Sequence, residues 1–75
     1  MSIYLHEEII EILTVFNREM TVNEIYKNIK NYRRRDGKLP PLYQVGAHVY
    51  DYPKYFYINR NVKPYTVGLI EWKKY

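Results

Sequence analysis

The fold is decided by residues 39–56, which read Leu-Pro-Pro-Leu-Tyr-Gln-Val-Gly-Ala-His-Val-Tyr-Asp-Tyr-Pro-Lys-Tyr-Phe. Pro41 suits the first turn of a helix, because its fixed φ fits there and its missing N–H would have no helical partner. Pro53 disfavours helical backbone at Tyr52, so the helix is expected to end near that residue. Apolar side chains between the prolines recur at spacings of three and four residues, which places them on one side of a helix. These residues are Leu42, Val45, Val49 and Tyr52.

The opposite side of this predicted helix is polar and aromatic, with an alanine at its centre. Its residues are Tyr43, Gln44, Ala47, Tyr50 and Asp51, with Gly46 and His48 on the two flanks. A short helix with this outer face is suited to lie against another surface. We interpret it as the recognition helix of a winged-helix domain, and we expect the rest of the chain to hold it in place.

Length and composition indicate a single domain spanning residues 1–75. A chain this short buries only about 60% of its unfolded surface, so a thin core is expected. Cysteine is absent, which excludes a disulfide framework, a zinc finger and a thiol nucleophile. No apolar run approaches the roughly 20 residues that span a bilayer, and the N-terminus lacks the pattern of a secretory signal. We therefore expect an intracellular protein, cytoplasmic or nuclear, with no membrane partner.

Charge is segregated along the chain, although the formal net charge is only +4. Residues 1–19 carry one arginine against four glutamates, whereas residues 20–75 carry eleven lysines and arginines against four acidic residues. This asymmetry favours a polyanionic partner for the second part of the chain. The alternative is that the surface cations only keep a small domain soluble.

A first helix is predicted near the N-terminus, with Ser2 as its capping residue. Its apolar residues recur at the spacing of a helix that faces a core. Asn17 tolerates left-handed backbone and is predicted to end the helix. The inward residues are Leu5, Ile9, Ile12, Leu13 and Phe16, while Glu7, Glu8 and Glu11 lie outside or near the positive end of the helix.

A capping box marks the start of a second helix. The Thr21 side chain can accept from the N–H of Glu24, and the Glu24 side chain can reach back to the N–H of Thr21. The buried stripe of this helix is predicted to comprise Val22, Ile25, Ile29 and Tyr32. A connection over residues 32–40 follows, in which the pair at positions 36 and 37, Asp-Gly, signals a turn.

Two strands, residues 55–59 and 65–72, are predicted after the third helix from their aromatic and β-branched content. Residues 60–64 form the tip between them, and Gly68 inside the second strand predicts a bulge or close packing against a helix. The fold class is therefore α+β. The order of elements corresponds to a winged helix-turn-helix, in which three helices precede a two- to three-stranded antiparallel sheet, the wing.

Several segments in this order resemble HARE-HTH winged-helix domains, which occur in restriction systems, chromatin proteins and the delta subunit of bacterial RNA polymerase. The segments are residues 20–25, 32–40, 44–49 and 52–53, and the ending at 67–72 is similar to the family's Gly-Leu-x-Glu-Trp. The resemblance implies a DNA-binding module with a transcriptional or restriction-related role. The delta-subunit relatives imply that the same fold can serve a protein partner.

Duplex DNA is the expected partner, with phosphate contacts around the third helix. Gln44 is suited to an adenine edge, Ala47 to a thymine methyl, and His48 is a weaker candidate for reading bases. The tyrosine at position 43 is expected to donate to phosphates or to stack on bases. The cations that enter the helix, leave it or occupy the wing tip are Arg33, Arg34, Arg35, Lys38, Lys54, Arg60 and Lys63.

The alternative function is docking of a protein, as an accessory subunit of RNA polymerase or of another complex. An exposed patch of tyrosines next to arginines has the composition that protein interfaces favour. That patch would comprise Tyr43, Tyr50, Tyr55 and Tyr57.

No catalytic activity is expected. His6 and His48 lack a neighbour that completes a pair of metal ligands, since Asp51 is a single carboxylate. The only serine, Ser2, lies at the terminus, and no glycine-rich phosphate loop occurs. We therefore expect no catalytic residue, no metal and no cofactor.

Overall fold

Three α-helices and a three-stranded antiparallel sheet make up residues 4–73, the part of the chain that the computed structural model describes. Along the chain these are α1 (Leu5–Phe16), β1 (Met20–Thr21), α2 (Val22–Lys27), α3 (Leu42–Asp51), β2 (Phe56–Asn59) and β3 (Thr66–Leu69), followed by a 3₁₀ helix (Ile70–Lys73). The strand order is β1-β3-β2, with antiparallel pairing throughout. The predicted α+β class is confirmed.

The core lies where the three helices meet the inner face of the sheet. Val45 and Val49 orient α3, because they lie four residues apart and are almost fully buried. Leu42 was predicted on the same inner side but is 41% exposed, since it is the first helical residue and Pro40 is buried just before it. The remaining core residues are Leu5, Ile9, Ile12, Leu13, Met20, Ile25, Ile29, Phe56, Val67 and Leu69.

The predicted end of α1 is confirmed, and its last residue faces outward. Asn17 adopts left-handed backbone at φ 52° and donates its N–H to the carbonyl of Leu13 at 2.8 Å. Phe16 was predicted to face the core but is 43% exposed. At the last helical position it meets the Arg18 guanidinium, 5.7 Å from its ring, instead of the core. The predicted cap Ser2 lies outside the described residues.

Glu8 was predicted to lie on the outer side of α1 or near its positive end; it lies near that end, in the first turn, but it is buried to 5% exposure. Its carboxylate accepts three successive backbone N–H groups, from Lys30 and Asn31 at 2.9 Å each and from Tyr32 at 2.6 Å. These donors cannot also serve a helix, which explains why α2 ends at Lys27 instead of continuing toward Tyr32. Glu8 therefore ties the first turn of α1 to the start of the long connection before α3.

The predicted capping box at the start of α2 is confirmed. Glu24 donates its N–H to the Thr21 hydroxyl at 3.2 Å, and its carboxylate accepts the N–H of Thr21 at 3.0 Å. Arg18 pairs with the same carboxylate at 3.1 Å. The box fixes the direction in which the chain leaves β1.

The sheet differs from the prediction at Gly68 and at its C-terminal end. The β2–β3 register is continuous, and the close approach at Gly68 comes from the Tyr57 ring on the neighbouring strand, not from a bulge or a helix. A Cβ at Gly68 would lie 2.5 Å from that ring. The predicted second strand also ends early, because the chain turns into the 3₁₀ helix after Leu69.

We expect Gly68→Ala to destabilise the fold by about 1–3 kcal/mol, because its methyl group overlaps the Tyr57 ring. Gly46→Ala is the matched control. A Cβ there meets only ordinary contacts at 3.5 Å or more, so this helical substitution should stabilise by up to about 1 kcal/mol. Chemical denaturation measures both, and equal effects of the two substitutions would contradict the packing described for Gly68.

We expect Glu8→Gln to destabilise by about 3 kcal/mol, because an uncharged amide cannot accept the three N–H groups as a carboxylate does. Glu11→Gln, an exposed position on the same helix, should change stability by less than about 0.5 kcal/mol. Urea denaturation of both variants checks this difference. A Glu8→Gln variant as stable as the parent would contradict a stabilising role of the Glu8 carboxylate.

Candidate nucleic-acid interface

The outer face of α3 is open to solvent. Tyr43 is 79% exposed and Tyr50 is 65% exposed. Ala47 lies between them and is also exposed, whereas Gln44 is half-buried. Val45 and Val49 hold the opposite face in the core, so the helix can present its outer side without losing its packing.

The tip of the wing, residues 60–65 between β2 and β3, runs beside this outer face. Where this segment meets β3, it borders a groove of about 350 Å³ that is lined in part by Leu42, Tyr43 and Tyr65. At the other end Arg60 shares a second groove with Tyr50. Arg60 and Lys63 are exposed, so the wing adds positive charge next to a helix that has no lysine or arginine of its own.

A second group of cations is held by a cationic turn, residues 33–38. The Gly37 N–H donates to the Arg34 carbonyl and the Arg34 N–H to the Lys38 carbonyl, both at 2.8 Å. Gly37 adopts φ +82°, which glycine reaches without strain, and this confirms the predicted turn. The closed turn displays exposed Arg33, Arg34, Arg35 and Lys38.

The two cationic groups are held by different elements of the fold. The cationic turn follows directly on Tyr32, whose N–H is held by Glu8 of α1, whereas the wing borders α3. Within residues 4–73 the only ion pair is Arg18–Glu24, so neither group forms an ion pair, although Asp36 in the turn offsets one of its four cations. Lys54, just after α3, is exposed and lies 5.3 Å from the Tyr55 ring.

His48 does not belong to the exposed face. Its ring lies 4.5 Å from Tyr52 and 5.9 Å from His6, and His6 stacks in turn on Tyr55 at 5.3 Å. Its Nε2 is buried without a hydrogen-bond partner among the described residues. This aromatic cluster (His6, His48, Tyr52 and Tyr55) joins the start of α1 to the end of α3. A nitrogen enclosed in this cluster is not open to a base edge, so the structure gives no support to His48 as a reading residue.

Two residues of the predicted tyrosine patch are half-buried and contact other residues of the protein. Tyr55 stacks in the aromatic cluster, and the Tyr57 hydroxyl donates a hydrogen bond to the Glu19 carboxylate. Only Tyr43 and Tyr50 remain as strongly exposed members of the patch. The predicted surface is therefore smaller than the sequence indicates.

Glu19 holds the three strands together on the outer face of the sheet. Besides Tyr57, its carboxylate accepts from Asn59 at 3.0 Å and from Thr66 at 2.7 Å. The hydrogen bond from Tyr57, followed by those from the other two residues, keeps the pKa of Glu19 below its ordinary value. Burial, followed by the hydrogen bond to Glu19, raises the pKa of Tyr57 to about 12. This network anchors the base of the wing, and no local sequence pattern indicates it.

Comparison with protein-family models, with curated proteins and with solved structures finds no match for this chain. Between residues 4 and 73, none of the helices is both long enough and apolar enough to cross a membrane. The same residues contain no cluster of three or more histidine, aspartate or glutamate side chains suited to hold a metal ion.

We expect the protein to lose stability as the pH falls through about 6.5, the ordinary pKa of histidine. Burial, followed by the neighbouring His6, holds the pKa of His48 below that value, against an opposite effect of Asp51. The unfolded chain then binds a proton more readily than the folded chain, so stability decreases toward acid. Denaturation midpoints between pH 7 and pH 5 measure this, and His48→Gln should flatten the dependence. An unchanged dependence in that variant would contradict the assignment.

Proposed function

We propose that this chain is a winged-helix DNA-binding domain of the kind that its resemblance to HARE-HTH domains implies. The observation that supports it is the open outer face of α3 beside a wing that carries Arg60 and Lys63. An α-helix with its side chains is about 10–12 Å across, which matches the width of the DNA major groove. In this role the domain binds duplex DNA, and α3 lies in the major groove.

Phosphate contacts supply most of the affinity in this proposal. Arg60 and Lys63 contact the backbone on the wing side, and Lys54 does so at the end of α3. The cationic turn forms a second set of phosphate ligands. Asp51 is exposed at the end of α3 and repels phosphate, which offsets part of the attraction that Lys54 supplies there.

Base reading is a minor part of the proposal, because α3 offers few groups for it. Tyr43 and Ala47 are exposed, and Gln44 is half-buried beside them. Arginine or lysine to guanine is the commonest specific contact, and α3 contains neither residue. We therefore propose binding that depends little on sequence, within a transcriptional or restriction-related setting inside the cell.

Docking of a protein is the second candidate function, and the groove at the wing base favours it. Leu42 is 41% exposed and Tyr65 is 37% exposed on its two sides, with Tyr43 beside them. None of the other lining residues is charged; they are Thr21, Val22, Asn23, Gly46, Ala47 and Pro64. Apolar and aromatic surface of this kind suits the core of a protein interface, as in an accessory subunit of a larger complex.

A salt titration of binding to a random-sequence duplex tests the proposed function. Each cation that contacts a phosphate contributes a slope of about −0.9 in log affinity against log salt. Arg60→Ala should therefore make the slope less steep by about one and weaken binding to all sequences alike. Replacing Arg33, Arg34 and Arg35 together should make it less steep by up to about three.

Arg18→Ala is the matched control, because it removes the same charge from a residue already paired with Glu24. We expect it to leave the slope unchanged. Absence of duplex binding at low salt would contradict the proposed function. Equal slopes for Arg60→Ala and the parent protein would instead remove the wing from the interface.

A further inference from the structure

The strand β2 lies at one edge of the sheet, and its outward backbone groups can be identified. The N–H of Ile70 donates to the carbonyl of Tyr55 at 2.8 Å, in line with the β2–β3 register. Hydrogen-bonded pairs alternate along an antiparallel ladder, so Tyr57 and Asn59 also exchange their bonds with β3. The intervening residues, Phe56 and Ile58, direct their backbone groups away from β3.

Four backbone groups therefore form a row along the outer edge of β2. They are the carbonyl of Phe56, the N–H and the carbonyl of Ile58, and the N–H of Arg60. The N–H of Phe56 does not belong to the row, because it donates to the carbonyl of Tyr52 at 3.1 Å. Among residues 4–73 no strand pairs with this edge.

The edge lacks the features that usually prevent strands from pairing between molecules. β2 contains no charged residue and no proline, and its sequence, Phe-Tyr-Ile-Asn, has high β-propensity. A groove of about 520 Å³ borders the strand, with Val49, Tyr50 and Pro53 among the residues on its other side. An added strand therefore has both backbone partners and an apolar surface to cover.

We propose that β2 pairs antiparallel with β2 of a second copy of this chain, with Ile58 on the two-fold axis. The two Ile58 residues then exchange both of their backbone hydrogen bonds. The N–H of Arg60 in each copy meets the carbonyl of Phe56 in the other copy. The result is one continuous six-stranded sheet with a symmetric interface.

The arrangement of free and already bonded backbone groups along the outer edge of β2 favours a second copy of this chain as the partner strand. In this register Arg60 offers an N–H opposite Phe56, and Phe56 offers only its carbonyl, because its N–H is already committed. All four groups in the row of each copy are thereby paired. The two copies repel each other at a net charge of +4 each, so the association is expected to be weak and best measured in salt that screens charge.

Sedimentation velocity at increasing protein concentration, together with amide hydrogen exchange, tests this proposal. We expect a monomer–dimer equilibrium in the parent protein. The amides of Ile58 and Arg60 should gain protection as concentration rises. The amides of Tyr57 and Asn59 serve as internal controls, because they already donate to β3 and should not change.

Ile58→Pro removes the outward N–H on the two-fold axis and should leave a monomer at every concentration. Ile58→Val keeps both backbone groups and should still form the dimer. A parent protein that stays monomeric from micromolar to millimolar concentration would overturn the proposal. A dimer in which the amides of Ile58 and Arg60 gain no protection would also overturn it, and this measurement needs no variant to fold. Tyr50 and Arg60 also border the proposed DNA surface, so both measurements are made without DNA, and loss of DNA binding has no bearing on either result.

Discussion

A single buried carboxylate determines how the rest of the structure is arranged. Glu8 lies in the first turn of α1, and its carboxylate accepts hydrogen bonds from three consecutive backbone N–H groups just after α2. A buried carboxylate is costly unless its charge is compensated, and three charge-assisted hydrogen bonds near the positive end of a helix provide that compensation. Because these donors are taken, α2 stays short and the chain turns away toward the cationic turn.

The location of the candidate interface follows from this constraint. The connection whose start is held by Glu8 ends at Pro40, which is buried just before α3. Val45 and Val49 then orient α3 toward the core, and its outer face is left open beside the wing. Glu19 holds the base of the wing against β1 through three side-chain hydrogen bonds. Glu8 and Glu19, both in the acidic N-terminal part of the chain, thus hold in place the segments that carry the exposed cations.

Features set by neighbouring residues could be predicted from the sequence, whereas those set by distant residues could not. The capping box at Thr21, the left-handed end of α1 at Asn17 and the turn at Gly37 each depend on a few adjacent residues, and all three are confirmed. Glu8 meets partners 22 to 24 residues away, and no spacing rule identifies such contacts. The same limitation explains why His48 was expected on a surface although it lies in an aromatic cluster with His6.

We propose that the outer face of α3 and the wing together form one nucleic-acid surface. The most direct test is an NMR titration of the labelled protein with a short random-sequence duplex at low salt. We expect the amide signals of Tyr43, Ala47, Tyr50 and the wing residues to shift together, while those of Glu7 and Glu11 on α1 stay unchanged. Shifts confined to α1, or none at all, would contradict it.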